Sequence, residues 1–162
     1  MALQIGFNPF AAVEISASES LRALLGKYAK AQGGDSARQG TLGPVPFNRI
    51  IDGWLLSAAL GARLVEDLPD SQSLGGKTFI TGQVVQNDIA TIEFMMLLAI
   101  SISGDAYIVE DPKAMIKHLR NAAEAGLPFL EELLTKGNQT ELVNLTKGLL
   151  DLLNPQDSIA EA

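Results

Sequence analysis

General-base chemistry in this chain would have to begin at His118, its only histidine and the only side chain that ordinarily titrates near neutral pH. His118 stands between Lys117 and Leu119 in a helical pattern, with Lys113, Arg120 and Asn121 close in sequence. No nucleophile or second-histidine signature accompanies it, so the pattern describes a partly exposed structural histidine. A small hydrolase using His118 is the enzymatic alternative.

The stretch Gly75-Gly76-Lys77-Thr78 matches the end of a phosphate-binding loop. That loop needs a glycine six positions before its lysine, where this chain has Ser71, and it should leave a buried strand and enter a helix. Here an acidic, polar run precedes it. Carboxylates gather at Glu66, Asp67 and Asp70 and again at Asp105, Glu110 and Asp111. Neither group has the alternating oxygen ligands and obligatory glycine of a calcium loop. The absence of cysteine excludes a thiol nucleophile and a disulfide framework, and a lone histidine excludes a multi-histidine metal centre within one chain. The expectation is therefore no catalytic residue, no cofactor and no metal.

Charge leaves interaction sites to consider. The net charge is −7, placed as +1 over residues 1–46, −6 over 47–111 and −2 over 112–162. An acidic middle disfavours sequence-blind binding of polyanions, which rests on Lys and Arg displacing counterions. The candidate interaction residues are Arg22, Lys27 and Lys30 of a first helix, Arg38 of the loop after it, and Arg49 and Arg63 of a second helix. Glu93, a lone acid in an otherwise apolar helix, must reach water, complement the helix dipole, or pair with Arg49 or Arg63.

These residues sit on elements that periodicity defines. Asp88 to Ser103 is apolar on nearly every side, capped by Asp88 and stopped by Gly104, and predicts a central buried helix that other segments wrap. Leu21, Leu24, Leu25 and Tyr28 mark an amphipathic helix from Ser18, and Phe47 to Leu64 predicts a second. A fourth opens at Asp111-Pro112 and ends at Gly126 and Pro128. A short helix follows over Phe129–Leu134, and the last runs from Asn138 or Thr140 to Asn154-Pro155, with Leu142, Val143, Leu145, Leu149, Leu150 and Leu153 inward. Gly33–Pro46 is a loop, and residues 78–86 suggest a short hairpin or extended lid.

The fold expected is mainly α: one domain over residues 1–155, with 1–17 as an N-terminal arm, about five helices around helix 88–103, and a flexible tail at 156–162. No secretory or transit pattern opens the chain and no apolar run is long enough for a bilayer span, which points to the cytoplasm and to no membrane partner.

Phe47-Asn48-Arg49-Ile50-Ile51-Asp52, running into Ala58-Ala59-Leu60-Gly61-Ala62, resembles small helical proteins that accompany bacterial DNA-phosphorothioation and related anti-phage defence loci. The likeness covers about 18 of 162 residues and implies an accessory protein, oligomeric and working beside DNA. The first functional expectation is thus a non-enzymatic adaptor acting through a protein partner or a homo-oligomer. Its surplus apolar surface would come from the second and last helices with Met95 and Met96. The second is direct nucleic-acid binding through Arg22, Lys27, Lys30 and Arg38.

Overall fold

The computed structural model describes residues 7–30 and 45–154. In order these form β1 (Glu14–Ala17), α1 (Glu19–Tyr28), α2 (Ile50–Leu64), β2 (Lys77–Thr81), α3 (Ile89–Ser103), α4 (Pro112–Thr135) and α5 (Glu141–Leu153). Short 3-10 turns lie at Ser71–Leu74, Gly82–Val85 and Ala106–Glu110. The architecture is mainly helical, as periodicity predicts.

Side-chain oxygens decide where helices begin. Ser18 accepts from the N–H of Leu21 to open α1, Asp88 from Thr91 to open α3, and Asp111 from Lys113 and Ala114 to open α4. Each satisfies N–H groups that the first turn leaves unpaired. Asp70 and Asp105 do the same for two of the 3-10 turns. Gly104 closes α3 at φ 70°, a left-handed position that glycine adopts without a Cβ penalty.

The largest contact in the molecule is between α2 and α4. Ser57, Ala58 and Gly61 of α2 face Ala122, Ala123 and Gly126 of α4, all buried. A Cβ on Gly61 would collide with the Ala122 carbonyl, and one on Gly126 with the Ser57 carbonyl, so the two backbones touch. The buried Ser57 hydroxyl donates to the Ala123 carbonyl at 2.7 Å and fixes the register of the crossing. Ile51, Trp54, Leu119, Leu130 and Leu134 fill the space on either side.

Three expectations are corrected. First, helix 88–103 is not the centre. Only Ile92, Met95 and Ala99 of α3 are buried, on one stripe that packs mainly on α4, while α2 and α4 form the axis. Second, residues 78–86 make no hairpin. β2 pairs antiparallel with β1, Glu14 opposite Thr81 and Ala17 opposite Lys77, and a 3-10 turn follows at Gly82. The N-terminal arm is thus a built-in strand from Glu14, with Ile15 and Ala17 buried. Third, α4 does not stop at Gly126. It runs through Pro128 as one 24-residue helix, about 36 Å long. An interior proline costs roughly 3 kcal/mol locally. Ala122, Ala123 and Gly126 before it, and Leu130 and Leu134 after it, are buried against neighbours that hold both halves in line. The tail at 156–162 lies outside the described residues.

α1 is tied to the axis by Glu124 of α4, whose buried carboxylate accepts from the Ser18 N–H at 2.6 Å. The segment before β2 is tied by Asn121, which accepts from the Ser71 N–H and hydroxyl at 3.0 and 2.6 Å, and by Arg120, which donates to the Ser71 and Gly75 carbonyls.

Gly126→Ala should lower unfolding free energy by about 3 kcal/mol or more, because backbone must move to admit the Cβ. Gly26→Ala in α1, where a Cβ meets nothing within 4 Å, should raise it by about 0.5–1 kcal/mol. Urea unfolding of both variants checks the pair.

Candidate interaction surface

One cation ties the start of α3 to the start of α2. Arg49, immediately before α2, donates through Nε and Nη2 to Asp52 Oδ1 at 3.0 and 2.6 Å, and its Nη1 reaches Asp88 Oδ2 at 2.9 Å. Its Nη2 also approaches the Thr91 hydroxyl at 3.4 Å. Asp52 returns to the Arg49 backbone N–H at 3.0 Å, and Asp88 accepts from the Thr91 hydroxyl at 2.7 Å. The guanidinium therefore bridges the starts of α2 and α3, with three polar partners in a planar fork. Hydrogen bonds that Arg49 donates to Asp52, and then to Asp88, raise its pKa. Asp88 is held below the ordinary carboxylate range, first by the Thr91 hydroxyl and N–H and then by Arg49.

So anchored, α3 turns an apolar face to solvent. Ala90, Phe94, Leu97 and Ser101 are exposed at spacings of four, three and four residues, which places them on one side of the helix. Leu97 is 66% exposed and Phe94 43%. Ile89 is exposed beside this stripe, and Met96, Leu98 and Ile100 are half-buried along its borders. The turn Ala106–Glu110 packs against α3 and leaves Tyr107 77% exposed. Two large apolar side chains three residues apart on one exposed helix face, with Ile89 beside them, are the surface form that a partner helix reads.

Of the other surplus expected, α5 keeps an exposed apolar face and α2 does not. The apolar face of α2 is consumed by α4, and Met95 is fully buried. In α5 only Leu145 is buried; Val143, Leu150 and Leu153, expected inward, are exposed.

The structure places the charged candidates as follows. Arg22 is half-buried on α1, Lys27 is exposed with its ammonium 4.9 Å from the Tyr28 ring centroid, and Lys30 is exposed beyond the helix end. Arg22 and Lys27 lie about 140° apart around α1, so they share no face. Arg38 lies outside the described residues. Arg63 is exposed at the end of α2, in a recess shared with Glu66, Ser101 and Ile102. Glu93 is exposed on α3; Arg49 pairs with Asp52 and Asp88 instead of it.

His118 is half-buried, and no group of His, Cys, Asp and Glu among the described residues could hold a metal ion. Asp70, Asp105 and Asp111 are occupied as caps. Gly75-Gly76 leads into strand β2 rather than a helix, with Gly75 accepting from Arg120. No helix among the described residues is long and apolar enough to cross a membrane.

Sequence reasoning missed a cationic row on α4. Lys113, Lys117 and Arg120, at i, i+4 and i+7, line an open recess of about 410 Å³ with Ser16, Gln72 and Glu14. Their spacing was the available signal.

The chain matches no protein-family model, no curated protein and no solved structure. Within the stretch from Phe47 to Ala62, Phe47 is buried against α1 and α2, Ala58, Leu60 and Gly61 are buried within the fold, and Arg49 and Asp52 form the bridge at the start of α2.

Because the Asp88 pKa is depressed on folding, its ionised form contributes stability that is complete above about pH 5 and fades as the pH falls below about 4. Across a urea series from pH 6 to 3, the double variant Arg49→Met, Thr91→Val should lose less stability than the parent. Arg49→Met alone should cost about 1 kcal/mol at pH 7. An unchanged acid limb would deny Asp88 this part.

Proposed function

We propose that this protein is a non-enzymatic adaptor that works by docking the outer face of α3 onto another protein. The observation that carries the reading is the exposure of Phe94 and Leu97 on a helix apolar all round, fixed at its start by the Arg49 bridge. A lone apolar side chain at a surface needs no explanation; two on one face of one rigid helix do. The likeness at Phe47–Ala62 suggests a setting, an accessory role in a bacterial DNA-modification or anti-phage system. The cysteine-free composition fits the reducing cytoplasm.

A second reading has its own observation. If the chain contacts nucleic acid, Lys113 and Lys117 are a better strip for phosphates than α1, since they set two exposed cations one turn apart on one face, beside an Arg120 already held by the Ser71 and Gly75 carbonyls.

Leu97→Asp tests the first reading. As an exposed position it should alter stability by no more than about 0.5 kcal/mol. Tagged protein purified from its native cell should lose a stoichiometric partner that the parent retains after nuclease treatment. A partner kept by Leu97→Asp would sink the α3 docking. For the second reading, Lys113→Glu with Lys117→Glu should weaken duplex DNA binding at least tenfold and flatten its salt dependence by about two in log–log slope.

A further inference from the structure

The α3 face also carries information about what it accepts. We infer that its occupant is an amphipathic helix of a different protein, with an apolar stripe flanked by lysine or arginine. This rests on the adaptor reading above.

The shape argument comes from Ala90, Phe94, Leu97 and Ser101. Small residues at both ends and two large ones in the middle let a helix lie close along about 17 Å, with Phe94 and Leu97 entering between its side chains. A partner segment of roughly 12 residues spans that length.

Charge selects among helices. From Asn87 to Asp111 the chain has five acidic residues and no basic one. Arg49 offsets Asp88 at the start of α3, and Arg63 shares the far recess with Glu66. Glu93, Asp105 and Glu110 are exposed, and none of them joins a salt bridge among the described residues. The carboxylates around the apolar stripe therefore outnumber the cations, with Arg63 beside Ser101 the one exposed cation that shares a recess with it. A second copy docked face to face would bring the same carboxylates against these, and an anionic bilayer would meet the same repulsion. A basic-flanked helix gains from every one of them, both in steering and in excluding other partners.

Two synthetic 18-residue helical peptides test this, both with leucines at i, i+4, i+7 and i+11, one flanked by lysine and the other by glutamate. Titrated into the full chain at 50 mM salt, the lysine peptide should bind at least tenfold tighter, and 500 mM salt should erase most of the difference. Leu97→Asp, with its circular dichroism unchanged, should weaken the lysine peptide at least tenfold. Glu93→Lys with Glu110→Lys should reverse the preference. Equal binding of both peptides, still lost in Leu97→Asp, would overturn the charge selection while leaving the adaptor reading standing. Concentration-dependent dimers in light scattering, removed by Leu97→Asp and with no peptide preference, would make the occupant a second copy. Indifference of peptide binding and of partner recovery to Leu97→Asp would end both inferences.

Discussion

Everything in this molecule is measured from the crossing of α2 and α4, where Gly61 and Gly126 let two backbones touch and Ser57 donates across the gap. Dispersion falls steeply with distance, so a crossing without side chains between gains contact that a wider one forfeits. It also leaves no slack. The Ser57 bond allows one register, and that register decides where Trp54, Leu119 and Leu130 meet. The strands and α1 hang on the α4 axis through Glu124 and Asn121. α3 is added from another side, packed on α4 and braced to α2 by Arg49.

The acidic middle has a structural use beyond solubility. Asp70, Asp88, Asp105 and Asp111 each satisfy backbone N–H groups at the start of a helical turn. In each acidic cluster part of the carboxylate is thereby taken up: Asp70 in one, and Asp105 and Asp111 in the other, already accept from backbone N–H groups. The carboxylates left over, Glu93 and Glu110 among them, are exposed near the apolar face of α3. Local folding thus consumes one part of the negative charge and displays the rest.

Three helix starts were legible in the sequence because the signal is local, whereas α2, expected from Phe47, begins at Ile50 behind Arg49. An aspartate or serine ahead of an apolar period has one physical meaning, and Ser18, Asp88 and Asp111 all cap as read. Helix ends were less so: Pro128 breaks an isolated helix, yet here packing on both sides of it outweighs the local cost. The pairing of Glu14 with Thr81 joins residues too far apart for any window to see. The role of α3 was hidden for another reason. A helix apolar on every side has no periodicity to tell a covered face from an uncovered one, so burial was inferred all round where the fold supplies it on one side. That same failure is what marks the candidate surface. The α4 cations were visible at i, i+4 and i+7, but only the fold shows that the recess beside them also takes in Ser16 and Gln72.

The parallel bridge between Ala29 and Phe47 has a bearing on length variation. The Lys30 N–H donates to the Phe47 carbonyl at 3.0 Å and the Phe47 N–H to the Tyr28 carbonyl at 3.1 Å, so the end of α1 and the approach to α2 are fastened side by side. Closure entropy grows only logarithmically, about 0.6 kcal/mol for each doubling of the span between such ends. At that rate the two hydrogen bonds of the seam, more than the number of residues between Lys30 and Phe47, fix where α2 starts relative to the end of α1.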